Sequence, residues 1–150
     1  RRNKLKQIFA AALLLVLWGC QAKPTGGPPK ITYGRDACHR CGMIVSEARF
    51  ASGYVDDRGE NVVFDDVGEF LTGTVGDPNL RAKAYINDFE GGGWVLAEKA
   101  FYVRVPAFPT PMGSGVVAFA SESAARSFAH LHPGARVTGS KSPDLYQKNK

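Results

Sequence analysis

The densest chemistry in the chain lies in Asp36-Ala37-Cys38-His39-Arg40-Cys41-Gly42-Met43. Two thiols and a thioether fall close together beside an imidazole, and Gly42 lets the backbone bend sharply. Thiolate and thioether sulfur are soft, polarisable donors that select Cu(I) over the hard divalent ions, which prefer oxygen. Cys41 and Met43 stand two apart, so in an extended or looped backbone both can approach one ion. The same residues admit a plainer reading, in which Met43-Ile44-Val45 opens a core strand and the two cysteines close a surface disulfide. Spacing alone leaves both open.

Three other chemistries use a Cys-x-x-Cys. Attachment of c-type haem needs His directly after the second cysteine, and Gly42 stands there instead. Structural zinc wants four nitrogen or sulfur ligands, and the further candidates are His39, inside the motif, and the distant His130 and His132. Thiol-disulfide exchange by Cys38 and Cys41 needs the first cysteine at a helix start after a buried strand. Here the motif follows a proline-rich segment, and Gly42 interrupts any helix. Thiol-disulfide oxidoreductase is therefore the alternative function to metal binding.

A second soft donor, Met112, sits in Thr110-Pro111-Met112-Gly113-Ser114-Gly115, among residues that do not build a core. Asp65-Asp66 invites an acid/base or hard-metal reading. Neighbouring residues of a strand point to opposite faces, however, so the expectation is a helix cap for one and solvent for the other. His130 and His132 flank a predicted helix end, where a cationic ring complements the dipole. The chain holds no convincing serine-histidine triad, nucleotide loop or paired-carboxylate site, and the reading is of a metal carrier rather than an enzyme.

The elements that must position these residues follow a repeated order. Phe50-Ala51-Ser52-Gly53-Tyr54-Val55 and Asn61-Val62-Val63-Phe64 flank a turn at Asp56-Asp57-Arg58-Gly59, which predicts a hairpin. A helix over 67–72, a Gly-Asp-Pro-Asn loop and a strand at Ala82-Lys83-Ala84-Tyr85-Ile86 come next. Farther on, Ala100-Phe101-Tyr102-Val103-Arg104-Val105 and Val116-Val117-Ala118-Phe119 precede a helix from 122 to about 131, capped by Ser121 and stopped by Pro133-Gly134, and then a strand at Arg136-Val137-Thr138. Both halves read ββαβ, so the predicted class is α+β, with two similar ββαβ units packed in one small domain.

The chain opens with basic residues and then an apolar run from Ile8 to Trp18, too short to span a bilayer and suited to a secretory signal. Leu17-Trp18-Gly19-Cys20 resembles a bacterial lipobox, which makes Cys20 the lipidated residue. Arg1-Arg2 with Leu5-Lys6 faintly resembles a twin-arginine signal. The expected organisation is a signal peptide at 1–19, a lipidated Pro/Gly linker at 20–30, a domain at 31–138 with units at about 45–88 and 99–138, and a polar tail at 139–150. Four of the nineteen basic side chains lie in the signal, leaving fifteen against fourteen acidic ones, a net charge of +1 in place of +5. A nearly neutral domain carries no electrostatic footprint for nucleic acid.

Taken together, these residues resemble the NosL lipoproteins, accessory copper proteins of nitrous oxide reductase maturation. The matching features are the lipobox, Cys38-x-x-Cys41-Gly42-Met43-Ile44, Phe50-Ala51, Phe64-Asp65-Asp66-Val67-Gly68, and Thr110-Pro111-Met112-Gly113 followed by Ala118-Phe119, in the same order from residue 36 to about residue 128. The resemblance implies two ββαβ units and a Cu(I) chaperone that supplies the reductase, or a similar cuproenzyme, through an ABC-type maturation complex. It implies a lipid anchor in the bacterial membrane facing the periplasm, on the outer membrane where the cell has one. By position, Cys41 and Met43 are the implied ligands, and Cys38 belongs to only some members. Many related chains carry a further cysteine after the Asp-Asp-x-Gly element, where this one has Glu69, so the third donor is left among Met112, His39, Cys38 and an outside group.

Overall fold

Two runs of the same character, Asn61-Val62-Val63-Phe64 and Val116-Val117-Ala118-Phe119, each form the second strand of a hairpin and run into a helix. The computed structural model describes residues 26–74 and 77–139. The expected signal peptide, Cys20, the first part of the linker and the tail from 140 onward lie outside the described residues. In the first half, β1 (Ser52–Val55) pairs antiparallel with β2 (Asn61–Phe64), and helices α1 (Val67–Gly73) and α2 (Pro78–Lys83) lead to β3 (Tyr85–Asp88) and β4 (Gly93–Leu96). In the second, β5 (Phe101–Arg104) and β6 (Val116–Phe119) are followed by α3 (Glu122–His130) and β7 (Arg136–Gly139).

The sheets run β2-β1-β3-β4 and β6-β5-β7. In each, the unit's first strand lies between its second and third and is antiparallel to both. The outer two are therefore parallel to each other, and parallel strands need a crossover long enough to leave the sheet, which the helices supply. The class is α+β with two small antiparallel sheets, as the repeated ββαβ order predicts.

β6 shows how the halves share a core. All four of its residues are buried. Val116 and Ala118 join the cluster of Val45, Phe64, Phe70 and Ile86, while Val117 and Phe119 on the other face pack with Phe50, Val103 and Phe128. Period-two alternation thus serves two cores at once. Tyr102, also in the first cluster, donates its hydroxyl to the Ala97 carbonyl at 2.8 Å, which satisfies its one polar atom. Truncating the fully buried Phe70 to Ala removes a ring wedged between the units, a change that costs about 3–5 kcal/mol in such sites.

The local turns follow their residues. The 56–60 turn is closed by the Asp56 amide donating to Glu60 at 2.9 Å, with Gly59 at φ +84°. Three expectations need correction. The Gly-Asp-Pro-Asn loop is in part helix: Asp77 accepts from the Asn79 and Leu80 amides and Pro78 occupies the first turn, so α2 takes up Ala82 and Lys83, and the strand begins at Tyr85. β4 was not anticipated, since Trp94-Val95 beside a run of glycines is short and gains its order from pairing with β3. The end of the linker is no free tether: Pro29 is buried, the Lys30 amide donates to Asn61 Oδ1 at 2.9 Å, and Tyr85 donates to the Gly26 carbonyl at 3.0 Å.

Candidate metal centre

The cysteine motif folds into its own tight hairpin. Ala37 and Ile44 pair across it, the Cys38 amide donates to Met43 O at 2.7 Å, and the Val45 amide donates to Asp36 O at 2.8 Å. Gly42, at φ +75°, supplies the left-handed residue that brings its own amide within 2.9 Å of Cys38 O. Two ties fix the hairpin to the first unit. The His39 amide donates to Val63 O at 2.8 Å on β2, and Arg40 pairs with Glu69 of α1 at 2.8 Å. The plainer reading of the motif fails in its details. Val45 is buried, but Met43 and Ile44 are exposed, and both cysteines are free thiols with Cys38 only 2 % exposed.

The facing wall is the junction between β2 and α1. Asp65 Oδ1 lies 3.5 Å from Cys41 Sγ, and one donor atom each from Cys38, Cys41 and Asp65 all fall within 4.8 Å of one another. Among the described residues, this is the one group of three or more His, Cys, Asp or Glu donors so arranged. Asp65 is 3 % exposed, and its Oδ2 has no hydrogen-bond partner. A buried carboxylate oxygen without a donor is costly unless a cation or other polar group satisfies it, so the cluster has the character of a cation site. The expectation that one of Asp65 and Asp66 faces solvent is thus overturned. The side chains do diverge, but both faces of the dipeptide are covered by protein.

Asp66 makes the cap, and more. Its Oδ1 accepts from the Gly68 amide at 2.7 Å and the Glu69 amide at 3.2 Å. Its Oδ2 accepts from the Thr110 hydroxyl at 2.7 Å and the Met112 amide at 3.0 Å. The loop carrying the second soft donor is therefore fastened to the residue next to Asp65. The Met43 side chain is 51 % exposed and that of Met112 38 %, so neither is core filling. His39 is exposed, its ring meeting that of Phe64 edge to face at 6.2 Å between centroids. His132 stacks on Phe128 and donates Nδ1–H to its carbonyl at 2.8 Å at the end of α3, in keeping with a helix-end role, and neither it nor the exposed His130 joins the cluster.

Burial pushes the Cys41 thiol up to about 11. The Met43 amide opposes the rise, while the neighbouring Cys38 and the Asp65 charge add to it. At neutral pH the Cys41 side chain of the metal-free protein is a protonated thiol, the reverse of the activated thiolate that disulfide exchange requires. A soft cation would supply the charge that releases this proton.

A family model for NosL matches residues 29–142. The chain is 29 % identical over 150 residues to the copper-binding lipoprotein NosL of Stutzerimonas stutzeri, covering 88 % of this chain and 79 % of that protein. The crystal structure of the copper chaperone NosL from Shewanella denitrificans aligns with a TM-score of 0.60 at 18 % identity, over 75 % of this chain and 94 % of that one, a likeness of fold. The family match takes in the cysteine hairpin, the Asp-Asp junction and both ββαβ units, and the chain belongs to the NosL family.

Proposed function

We propose that this protein is a lipid-tethered, extracytoplasmic carrier of Cu(I), with the ion as cargo rather than as the cofactor of a reaction. The observation that carries the reading is the convergence of the Cys38 and Cys41 thiols beside Asp65, on a hairpin whose next side chain but one from Cys41 is the exposed Met43 thioether. A half-exposed thiol between a buried one and an open thioether suits a cargo that must be both held and released. The soft donors favour a monovalent, polarisable ion, and the open side leaves room for an incoming ligand. The relatives named as a copper-binding lipoprotein and a copper chaperone support the same reading. Cys20 is the anchor, and the client is nitrous oxide reductase or a similar cuproenzyme, reached through an ABC-type maturation complex from a site facing the periplasm. Thiol-disulfide exchange by Cys38 and Cys41 is disfavoured by the raised Cys41 thiol.

Anaerobic titration of the reduced protein with Cu(I) against a competing chelator tests the carrier function. Partners in the outer shell of a metal site are commonly worth about 10–100-fold in affinity, so Cys41→Ser, which removes a donor itself, is expected to cost more than ~100-fold. Met43→Ala should cost less. Affinity unchanged in both variants, or no preference for Cu(I) over Zn(II) in the unaltered protein, overturns the proposal.

A further inference from the structure

Asp66 does more than a helix cap requires. A cap needs one acceptor for the free amides of a first turn, and at the corresponding place in the second unit the Ser121 hydroxyl meets that need alone, accepting from the Ala124 amide at 3.2 Å. Asp66 spends only one carboxylate oxygen on Gly68 and Glu69. The other reaches across to the second unit and takes two donors from the 110–115 loop. The loop is shaped for this seat. Thr110 Oγ1 also accepts from the Gly115 amide at 3.3 Å, Ser114 Oγ accepts from the Val116 amide at 3.1 Å, and a Cβ at Gly68 would run into the Ser114 side chain. What the seat fixes is an exposed residue, Met112, which belongs to neither hydrophobic cluster. Packing does not explain why its position is so closely defined.

Adjacency supplies the explanation. Asp65 touches Cys41 and Asp66 holds the Met112 amide, so the cysteine hairpin and the 110–115 loop flank the same two residues. Their Cα atoms lie ~3.8 Å apart, a short step for a long, flexible methionine side chain. We infer that Asp66 is a positioning residue: by holding the Thr110 hydroxyl and the Met112 amide, it sets the Met112 thioether as a further sulfur donor at the Cys41 centre. The inference rests on the Cu(I) reading above. Through Asp66 the second unit, which contributes no side chain to the Cys38/Cys41/Asp65 cluster, completes the donor set.

Asp66→Asn separates the roles. Asparagine is as good a cap as aspartate, and its amide oxygen can still serve Gly68 and Glu69. Its Nδ2 is a donor and cannot accept from Thr110 or Met112. The full chain carrying Asp66→Asn is expected to stay folded and to lose protection of the Met112 amide in hydrogen exchange of the metal-free protein. It should bind Cu(I) about 10-fold more weakly, and X-ray absorption should show one sulfur neighbour fewer around copper. Met112→Ala should give the same loss, the double variant no more than Met112→Ala alone, and Ser121→Ala none. An Asp66→Asn protein with full affinity and sulfur count, or losses that add in the double variant, overturns the inference while the carrier reading stands. Unaltered protein that fails to hold Cu(I) overturns the carrier reading and this inference with it. Should Asp66→Asn unfold, Thr110→Val, which removes one of the two donors and leaves the cap intact, must weaken Cu(I) binding through Met112 for the inference to survive.

Discussion

Setting aside α2 and β4 of the first half, which have no counterpart in the second among the described residues, the two ββαβ units share one strand order, and the difference that bears on the site lies at one junction. β2 ends at Phe64 and passes through Asp65-Asp66 into α1, whereas β6 ends at Phe119 and passes through Ala120-Ser121 into α3. In the second unit the cap is a single hydroxyl and the preceding residue is an exposed alanine. This junction therefore needs one acceptor at the cap position and nothing before it. Measured against that, the Asp65 carboxylate and the second oxygen of Asp66 are more than a cap requires, and both are buried. One reaches the cysteine hairpin ahead of the first unit; the other reaches a loop inside the second. The chemistry lies where a junction carries more polar groups than its counterpart uses.

Proton chemistry separates the surroundings of the two junctions most widely, because the first faces the Cys41 thiol. With Cys41 pushed up to about 11, Cu(I) must displace a proton at any ordinary pH. Apparent affinity should then climb about tenfold per pH unit for this proton, or roughly a thousandfold from about pH 6 to about pH 9. Stability of the metal-free protein should move the other way. The unfolded thiol ionises near its usual 9.0 while the folded one resists to about 11, so the unfolded chain binds fewer protons over that window and stability falls as pH rises through it. Chelator competition at stepped pH and urea unfolding on either side of the window measure the two trends. A flat affinity profile, or the same alkaline fall in Cys41→Ser, would show that the Cys41 proton is not the one involved.

Next in size is the contrast between caps. Ser121→Ala loses the cap bond from Ala124 and an exposed contact to the Ser123 hydroxyl, and is expected to cost about 1 kcal/mol. Asp66→Ala loses the cap and also strands Thr110 and Met112, both of which lean on a charged acceptor, so about 3 kcal/mol is expected. Urea unfolding of the two variants in parallel gives the difference directly. Equal costs would mean that the ties from Asp66 to the 110–115 loop add nothing to the union of the two units.

Much of this was legible in the residues, and the failures have physical reasons. Val116–Phe119 and the helix after Ser121 follow from an apolar run, a cap and a Pro-Gly stop, all local signals. A cap from the Asp65-Asp66 pair is legible in the same way, and the structure assigns it to Asp66. α2 was hidden because Pro78 reads as a loop breaker unless Asp77 is recognised as the cap before it, with proline in the first turn. β4 has almost no local signal, and Gly93–Leu96 is a strand because β3 lies beside it. Asp65 was misjudged by a sound rule with a false corollary. Side chains do alternate along a strand, but opposite does not mean solvent when a hairpin covers one face and a loop from 46 residues away covers the other. A signal was nevertheless present, since aligning the two strands on their closing phenylalanines, Phe64 and Phe119, puts Asp65 against Ala120 and asks why one unit needs a charge there. Cys41 and Met43 could be offered as candidate donors from their chemistry and the family resemblance, whereas the proximity of Cys38 and Cys41 to Asp65 required the tertiary structure.

The smallest expected effect bears most directly on the comparison. Asp65→Ala places in the first junction the residue that the second already uses. It removes a buried carboxylate whose Oδ2 has no donor, leaving only a thiol contact at 3.5 Å to be lost. Removing a poorly satisfied buried charge is often neutral or stabilising, so metal-free stability should hold or rise by up to about 1 kcal/mol in urea unfolding. The Cys41 thiol should shift down, since one repulsive charge is gone, yet remain above 9.0, because burial is the larger cause. A thiolate absorbance titration follows that shift. Cu(I) affinity should drop by about tenfold if the carboxylate helps to neutralise or hold the ion. A variant that loses several kcal/mol and binds copper normally would make Asp65 part of the scaffold. The two junctions would then differ in how they are packed rather than in what they do.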